Sequence, residues 1–333
     1  MSWRAFGEDR PPGAWDEALE SLPDYSVFQS EAWARHKATS GWRPVRALES
    51  EGGRPRAVLQ ALVKTSRAGA AVFWCRGGPV GEPSLWDEKM RGALLRAAGR
   101  TTGYLRLCPY RPDEPALREL MRSKGWSRPV WPLDRHATMR LDLGAGADAL
   151  RRGLSGNWRH NLKRAGRRCR AVRRWEKPDP EAVLGLYRSM ETYKGIAPHR
   201  DGNLASLLEH LGGSVILFRA DDEGGAALAL RGCAVQGKKA WDIMAATTPA
   251  GRRCYASYAA FWALIEECRT RGVRSYDLGG ADPDAARGVY DFKRGTGARD
   301  VRYAGEWHWA SPWPLRPLGD LGIRLLSGGI GLA

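Results

Sequence analysis

No run of apolar residues in the 333-residue sequence is long enough to cross a bilayer, and the opening residues MSWRAFGEDRPPG lack the apolar core of a secretion signal. The expectation is a cytoplasmic protein, at most peripheral to a membrane. Cysteine is sparse. The six, Cys75, Cys108, Cys169, Cys233, Cys254 and Cys268, form no CxxC pair and no metal-ligand spacing. They read as free thiols in a reducing compartment. The six histidines are scattered along the chain, so no metal site is supported. A serine-nucleophile elbow, HExxH, P-loop and GxGxxG are all missing, which removes the common hydrolase, nucleotide and dinucleotide signatures. Acid is short as well: 37 Asp and Glu against 53 Lys and Arg leave a net charge of +16. That excess fits a polyanionic partner such as RNA, a phosphorylated substrate or an anionic membrane surface. A general preference for arginine, alanine and glycine would explain it equally well.

The length suits two domains, and 43% hydrophobic with 27% charged residues is the balance of a globular protein. Alternation and turn residues predict strands over 43–48, 57–63, 70–75 and 104–107, with a helix over 86–98 before the last. The same order returns as strands 214–219, 226–235, 240–246 and 273–278, with a long helix over 255–271. Glu51-Gly52-Gly53 matches Glu223-Gly224-Gly225 at an offset of 225 − 53 = 172, and Leu107 matches Leu278 at 278 − 107 = 171. A nearly constant offset across turn, strands and helix points to a duplicated α/β unit. The expected division is a first domain over 1–150, a second over 151–310, and a tail over 311–333.

The second domain opens on the most basic stretch. Arg151 to Trp175 holds ten Lys or Arg and no acid. At helical spacing Leu154, Trp158, Leu162, Ala165 and Cys169 form an apolar stripe, and Arg159, Lys163, Arg167 and Arg170 form a cationic one beside it. Such a helix can be anchored on one side and present positive charge to phosphates on the other; Arg164 belongs to the same set. The tail carries Trp307, Trp309 and Trp313, then Pro314, Pro317, Leu318, Leu321, Leu325 and Leu326. It suits packing back on the body, or a lipid interface.

Lysine is the rarer cation, ten against 43 arginines, so Lys293 stands out between Tyr290, Phe292 and the turn Gly295-Thr296-Gly297. It follows a strand ending in Gly279-Gly280, where backbone N–H groups could approach a ligand. Asp242, inside the apolar run Trp241–Ala246, must be paired or functional. The element order of the second half is that of a GNAT N-acyltransferase, in which a helix N-terminus receives a pyrophosphate. The segment Thr247–Arg253, with Arg252 and Arg253, stands there without the usual coenzyme A signature Gln/Arg-x-x-Gly-x-Gly/Ala.

Over residues 25–310 the chain resembles the Fem family (FemA, FemB, FemX and relatives), aminoacyl-tRNA-dependent transferases that build peptidoglycan cross-bridges. The resemblance rests on Phe28-Gln29-Ser30 with Trp33 and Lys37, on Arg76-Gly77-Gly78-Pro79, on Trp158-Arg159-His160-Asn161, and on Tyr276-Asp277-Leu278-Gly279-Gly280 with Phe292-Lys293-Arg294. No heptad arm separates the halves, so the layout is the short, FemX-like one with two tandem GNAT-like α/β domains. The resemblance implies that Lys293 stabilises the oxyanion formed when an amine attacks an aminoacyl ester. It places Lys37 and Arg200, with Cys108 and Tyr290, at the acceptor. Arg159, Lys163, Arg164, Arg167, Arg252 and Arg253 would hold tRNA or a pyrophosphate. Aminoacyl-tRNA would be co-substrate, with no metal or redox cofactor, and a peptidoglycan precursor the acceptor. Where the family often has an acid before proline, this chain has Cys108-Pro109, which makes Asp242 the candidate substitute. The alternatives are an acyl-CoA-dependent N-acyltransferase acting on a sugar or peptide amine, and a non-enzymatic RNA-binding or membrane-peripheral protein.

Overall fold

The computed structural model describes residues 3–7, 11–65, 69–133, 136–195, 201–280, 282–284 and 286–327. The chain divides into two units, Met1–His136 with Arg302–Ala333, and Ala137–Val301. Unit 1 holds strands β1 (Arg4–Ala5), β2 (Arg43–Glu51), β3 (Arg54–Thr65), β4 (Ala71–Arg76), β5 (Val80–Gly81), β6 (Gly103–Cys108) and β14 (Trp307–Ser311), in sheet order β1-β2-β3-β4-β6-β14 with β5 on β3. Unit 2 holds β7 (Ala137–Asp142), β8 (Ala171–Arg174), β9 (Val215–Asp221), β10 (Ala227–Gln236), β11 (Lys239–Thr247), β12 (Ser275–Gly280) and β13 (Arg299–Arg302), in order β13-β7-β12-β11-β10-β9-β8.

The duplication expected from the sequence is present in the sheets. In each unit three antiparallel strands lead through a helix to a fourth that runs parallel to the third, β4 with β6 and β11 with β12. The first strands lie 215 − 43 = 172 apart and the fourth strands 275 − 103 = 172 apart. Central strands are buried on both faces, which is why β3 reads as the unbroken run Ala57-Val58-Leu59-Gln60-Ala61-Leu62-Val63 rather than as an alternation. The crossover helix Glu88–Ala97 starts where the Asp87 carboxylate takes the N–H groups of Lys89 and Met90, and it buries Met90, Ala93 and Leu94 at helical spacing.

The expected boundary at 150/151 is not where the units part. β7 follows the first set of strands in sequence yet pairs antiparallel with β12 of unit 2. β14 follows the second set yet pairs antiparallel with β6 of unit 1. These strands begin 307 − 137 = 170 residues apart, so equivalent strands of the duplicate are exchanged. The tail is accordingly part of unit 1 rather than a separate segment.

Beneath the tail helix Leu315–Ser327 lies a fully buried ion cluster. Arg106 of β6 binds Glu306 and the backbone carbonyl of Trp131, and its Nη1 lies 2.8 Å from Asp320 Oδ1. Asp320 Oδ2 also accepts the Val130 N–H at 2.7 Å. The Tyr104 hydroxyl meets His308 Nδ1 at 3.2 Å. Burial pushes the His308 imidazole down to about 4, against the pull of Asp320. A histidine held neutral below its unfolded value of about 6.5 contributes stability above that pH and loses it as pH falls towards 4. The unfolding midpoint should therefore drop between pH 6.5 and 4, and less steeply in His308→Gln, as urea titrations at a series of pH values would show.

Candidate active site

In unit 2 the parallel pair β11–β12 comes apart. Its paired positions are Lys239–Ser275, Ala240–Tyr276 and Trp241–Asp277. Beyond these, the two strands run on to Thr247 and Gly280 without pairing with each other among the described residues. Irregularities lie at the point of separation: on the other edge of β11, Gly232 faces Met244 while Cys233 faces Asp242, leaving Ile243 unpaired, and the register of β12 with β7 shifts between Asp277 and Gly280. An extra residue bends and twists the strand away from its neighbour. The corresponding pair of unit 1 has no such opening among the described residues. β4 and β6 stay paired from Val72–Tyr104 to Arg76–Cys108. Gly77 N–H then donates to Cys108 O at 2.9 Å and Cys108 N–H to Gly78 O at 3.2 Å. Gly78 is required there because a Cβ would lie 2.6 Å from the Gln29 side chain. The Arg76-Gly77-Gly78-Pro79 segment thus closes the strand end that its counterpart leaves open.

Polar side chains gather where β11 and β12 part. Arg231 of β10 binds Asp242 at 2.6 Å, and both side chains are 8% exposed. The Tyr276 hydroxyl donates to the other Asp242 oxygen at 3.3 Å. Asp277 accepts from Thr138 Oγ1 and, at 2.8 Å, from the Gly279 N–H. Lys293 is buried, and its Nζ donates to Gly280 O at 2.7 Å. A Cβ on Gly279 would stand 3.9 Å from both the Asp242 carbonyl oxygen and Lys293 Nζ, and its φ of +71° also favours glycine. Burial lowers the Lys293 ammonium below the ordinary lysine value, while Asp242 and Asp277 pull it back up and Arg231 lowers it further. Burial raises the Asp242 carboxyl, against Arg231, Lys293 and the Tyr276 hydroxyl, which lower it. The cluster brings a desolvated cation and a carboxylate whose proton affinity is raised to one strand opening.

Two expectations about this segment are corrected. The Gly279 N–H is held by Asp277 and so is not offered to a ligand. Lys293 lies in the last turn of the helix Arg287–Arg294 rather than beside a flexible glycine loop. The following turn is close-packed: a Cβ at Gly295 would meet Trp158 at 2.9 Å, and one at Gly297 would meet Gly153 O at 2.8 Å. Thr296 Oγ1 donates to Lys293 O at 2.6 Å, closing the helix end. Phe292 packs among Tyr258, Phe261 and Trp158, and its carbonyl accepts the Trp158 indole N–H at 3.1 Å. Tyr290, half-buried, is one turn before Lys293 on the same helix.

Trp158 anchors the basic helix Gly156–Arg168, with Ala165 also buried, as the apolar stripe predicts. Arg159, Lys163, Arg164 and Arg167 are exposed, as are Arg252 and Arg253. Arg164 donates to the Tyr255 hydroxyl at 2.8 Å, and Arg168 to the Arg253 carbonyl at 2.9 Å, so two arginine groups from separate elements share one face. The segment after β11 contains a short helix, Pro249–Arg253. Its first N–H groups are largely spent. Pro249 has none, the Thr248 hydroxyl takes that of Gly251 at 3.0 Å, and Thr248 O takes that of Arg252 at 3.0 Å. Gly251 is pressed against Leu228 O, 2.2 Å from where a Cβ would be.

In unit 1, Lys37 lines a small cleft with Trp33, Trp42, Leu62, Trp74 and Arg76. Lys37 Nζ sits 4.7 Å from the Trp33 ring centroid, and the Arg76 guanidinium lies 4.0 Å from that of Phe28. Burial, with Arg76 and Lys64 nearby, lowers the Lys37 ammonium to about 8. Cys108 does not reach this cleft as a binding group: it is buried in a cluster with Trp42, Leu62 and Trp74. Arg200 lies outside the described residues. Sequence reasoning missed Arg231, Tyr276, Asp277 and Thr138. Arg231 carried a usable signal, a charged residue in the apolar run Ala227–Val235 that required a buried counter-charge.

A family model described as an acetyltransferase (GNAT) domain matches residues 156–294, which lie within unit 2. No curated protein sequence is similar to the chain. Among solved structures, FemX is 16% identical with a TM-score of 0.81, covering 96% of this chain and 100% of that one. The C-terminal domain of a putative lysylphosphatidylglycerol synthetase from Agrobacterium fabrum is 15% identical with a TM-score of 0.54, covering 94% and 98%. A tandem GNAT protein from the clavulanic acid biosynthesis pathway is 15% identical with a TM-score of 0.52, covering 92% and 98%. The chain has the mixed α/β acyltransferase fold of the GNAT type, twice over. Its fold as a whole is FemX-like.

Proposed function

We propose that the protein transfers an aminoacyl group from charged tRNA to an acceptor amine, with a peptidoglycan precursor or related cell-envelope molecule as acceptor. The observation that carries this reading is the open β11–β12 separation with buried Lys293 at its mouth, in a unit that also exposes the cationic face of helix Gly156–Arg168. In the proposed reaction the acceptor nitrogen adds to the ester carbonyl carbon, and the carbonyl electrons move onto oxygen. The Lys293 ammonium stabilises that oxyanion more than the neutral ester. Asp242 takes the proton from the attacking nitrogen, its raised proton affinity suiting it to the task. The oxyanion then collapses, the carbon–oxygen bond to the ribose breaks, and the proton held by Asp242 passes to the leaving ribose oxygen. No electron transfer is needed, and no cofactor is proposed.

The exposed arginines and lysine of 159–167, with Arg252 and Arg253, supply the phosphate-binding charge. Lys37 and Arg76, in their aromatic cleft, suit a phosphate-bearing acceptor. One fold neighbour is named for lysylphosphatidylglycerol, a lipid carrying an aminoacyl group, which supports an envelope acceptor.

A second reading, acyl-CoA as donor to a sugar or peptide amine, is favoured by the acetyltransferase description of the matched domain. Against it stand the occupied N–H groups of Pro249–Arg253, where a pyrophosphate would sit. Supplying labelled aminoacyl-tRNA and acyl-CoA separately, with amine acceptors, distinguishes the two. Ribonuclease should abolish transfer. Transfer from acyl-CoA that survives ribonuclease would replace the tRNA reading with the second.

A further inference from the structure

The tail helix Leu315–Ser327 is used on one side only. Asp320 and Ile323 face the body of unit 1 and are buried, and Gly319 lies so close to Tyr104 that a Cβ would be 2.3 Å from its ring. On the opposite side Leu318 is 65% and Leu321 42% exposed, and Trp313, just before the helix, is 73% exposed. Val130 is also 73% exposed, and its backbone is tied to the helix through Asp320. Four large apolar side chains thus meet solvent around one short element. That is unusual beside the buried indoles of Trp3, Trp15, Trp86, Trp126, Trp158 and Trp307. The tail packs back with one face, the first of the two expectations for it, and leaves the other face bare.

We propose that this face docks on an anionic lipid bilayer. Charge identifies the occupant. From residue 312 onward the only ionisable side chains are Arg316, Asp320 and Arg324. Asp320 is buried against Arg106, Arg316 is half-buried and Arg324 is exposed, so the charge this segment leaves beside the apolar stripe is positive. Apolar side chains flanked by arginine, with tryptophan at the edge, form the composition of an interfacial helix, and anionic headgroups complement it. A second copy of the chain fits less well. Its charge of +16 would repel its own image, and four side chains fall well short of the roughly 800 Å² per partner of a stable interface. No helix among the described residues is long and apolar enough to cross a membrane, so the contact is peripheral.

The test is co-sedimentation of the full-length protein with vesicles of phosphatidylcholine alone and of phosphatidylcholine mixed with phosphatidylglycerol. The protein should bind the mixed vesicles and bind phosphatidylcholine at least about tenfold more weakly. The triple variant Trp313→Ala, Leu318→Ser, Leu321→Ser should lose about tenfold or more of the binding to mixed vesicles. Its unfolding midpoint should stay at the wild-type value, because all three side chains are exposed. No binding of the wild type to mixed vesicles overturns the proposal. Undiminished binding by the triple variant also overturns it, since charge elsewhere, such as helix Gly156–Arg168, would then suffice. A concentration-dependent dimer that the triple variant abolishes would assign the face to a second copy instead.

Discussion

Lys293→Ala should lower the turnover of aminoacyl transfer by about 100-fold or more, the loss expected when one fixed oxyanion stabiliser is removed. The ammonium is held by Gly280 O at 2.7 Å, at the end of a helix locked by Phe292 and Thr296, so its position does not depend on substrate. Folding should be affected far less, because Asp242 keeps its direct bond to Arg231 when the lysine is gone. Single-turnover measurement with charged tRNA, alongside circular dichroism, separates the two effects. A variant that turns over at the wild-type rate would remove Lys293 from the chemistry. The pH profile adds an independent sign. Because burial lowers the Lys293 ammonium, activity should fall on the alkaline side below the ordinary lysine value of about 10.4. Lys293→Arg, whatever its residual rate, should move that limb upward, since guanidinium stays protonated across the range.

Arg106→Leu should destabilise the protein by about 3–5 kcal/mol, the usual cost of leaving buried carboxylates without their cation. Glu306 and Asp320 would both be stranded, one beside β14 and the other in the tail helix. Replacing all three residues with apolar ones of similar volume should recover much of the loss, because the desolvation of the carboxylates disappears with them. Urea unfolding of the single and triple variants gives the comparison. A loss below about 1 kcal/mol for the single variant would mean that the carboxylates find other partners or water.

The fold was legible because its evidence is repetitive. The Gly52-Gly53 and Gly224-Gly225 turns and the strand ends at Leu107 and Leu278 carried the duplication at nearly fixed offset. Strand exchange was not legible: β7 and β14 are not among the strands the pattern predicts, and so short a segment carries no sign of which sheet receives it. At the site, the sequence singled out Lys293 through the rarity of lysine and Asp242 through its apolar setting, and the structure brings both to one opening. It could not supply the bulge at Ile243, which depends on register with β10, nor the locking of Gly295 and Gly297 against residues more than a hundred positions earlier. Cys108 shows the reverse case. A motif position expected to touch substrate is packed among tryptophans, and only tertiary contacts could say so.

The exchange of β7 and β14 also sets an order on synthesis. When the ribosome has made residues 1–136, β6 still has an open edge, and the strand that covers it lies 307 − 108 = 199 residues further on from Cys108. Unit 1 must therefore wait, incomplete, while the whole of unit 2 is translated. Unit 2 has no such wait: it is the single continuous stretch Ala137–Val301, so one copy of the duplicated sheet is completed within the still unfinished sequence of the other.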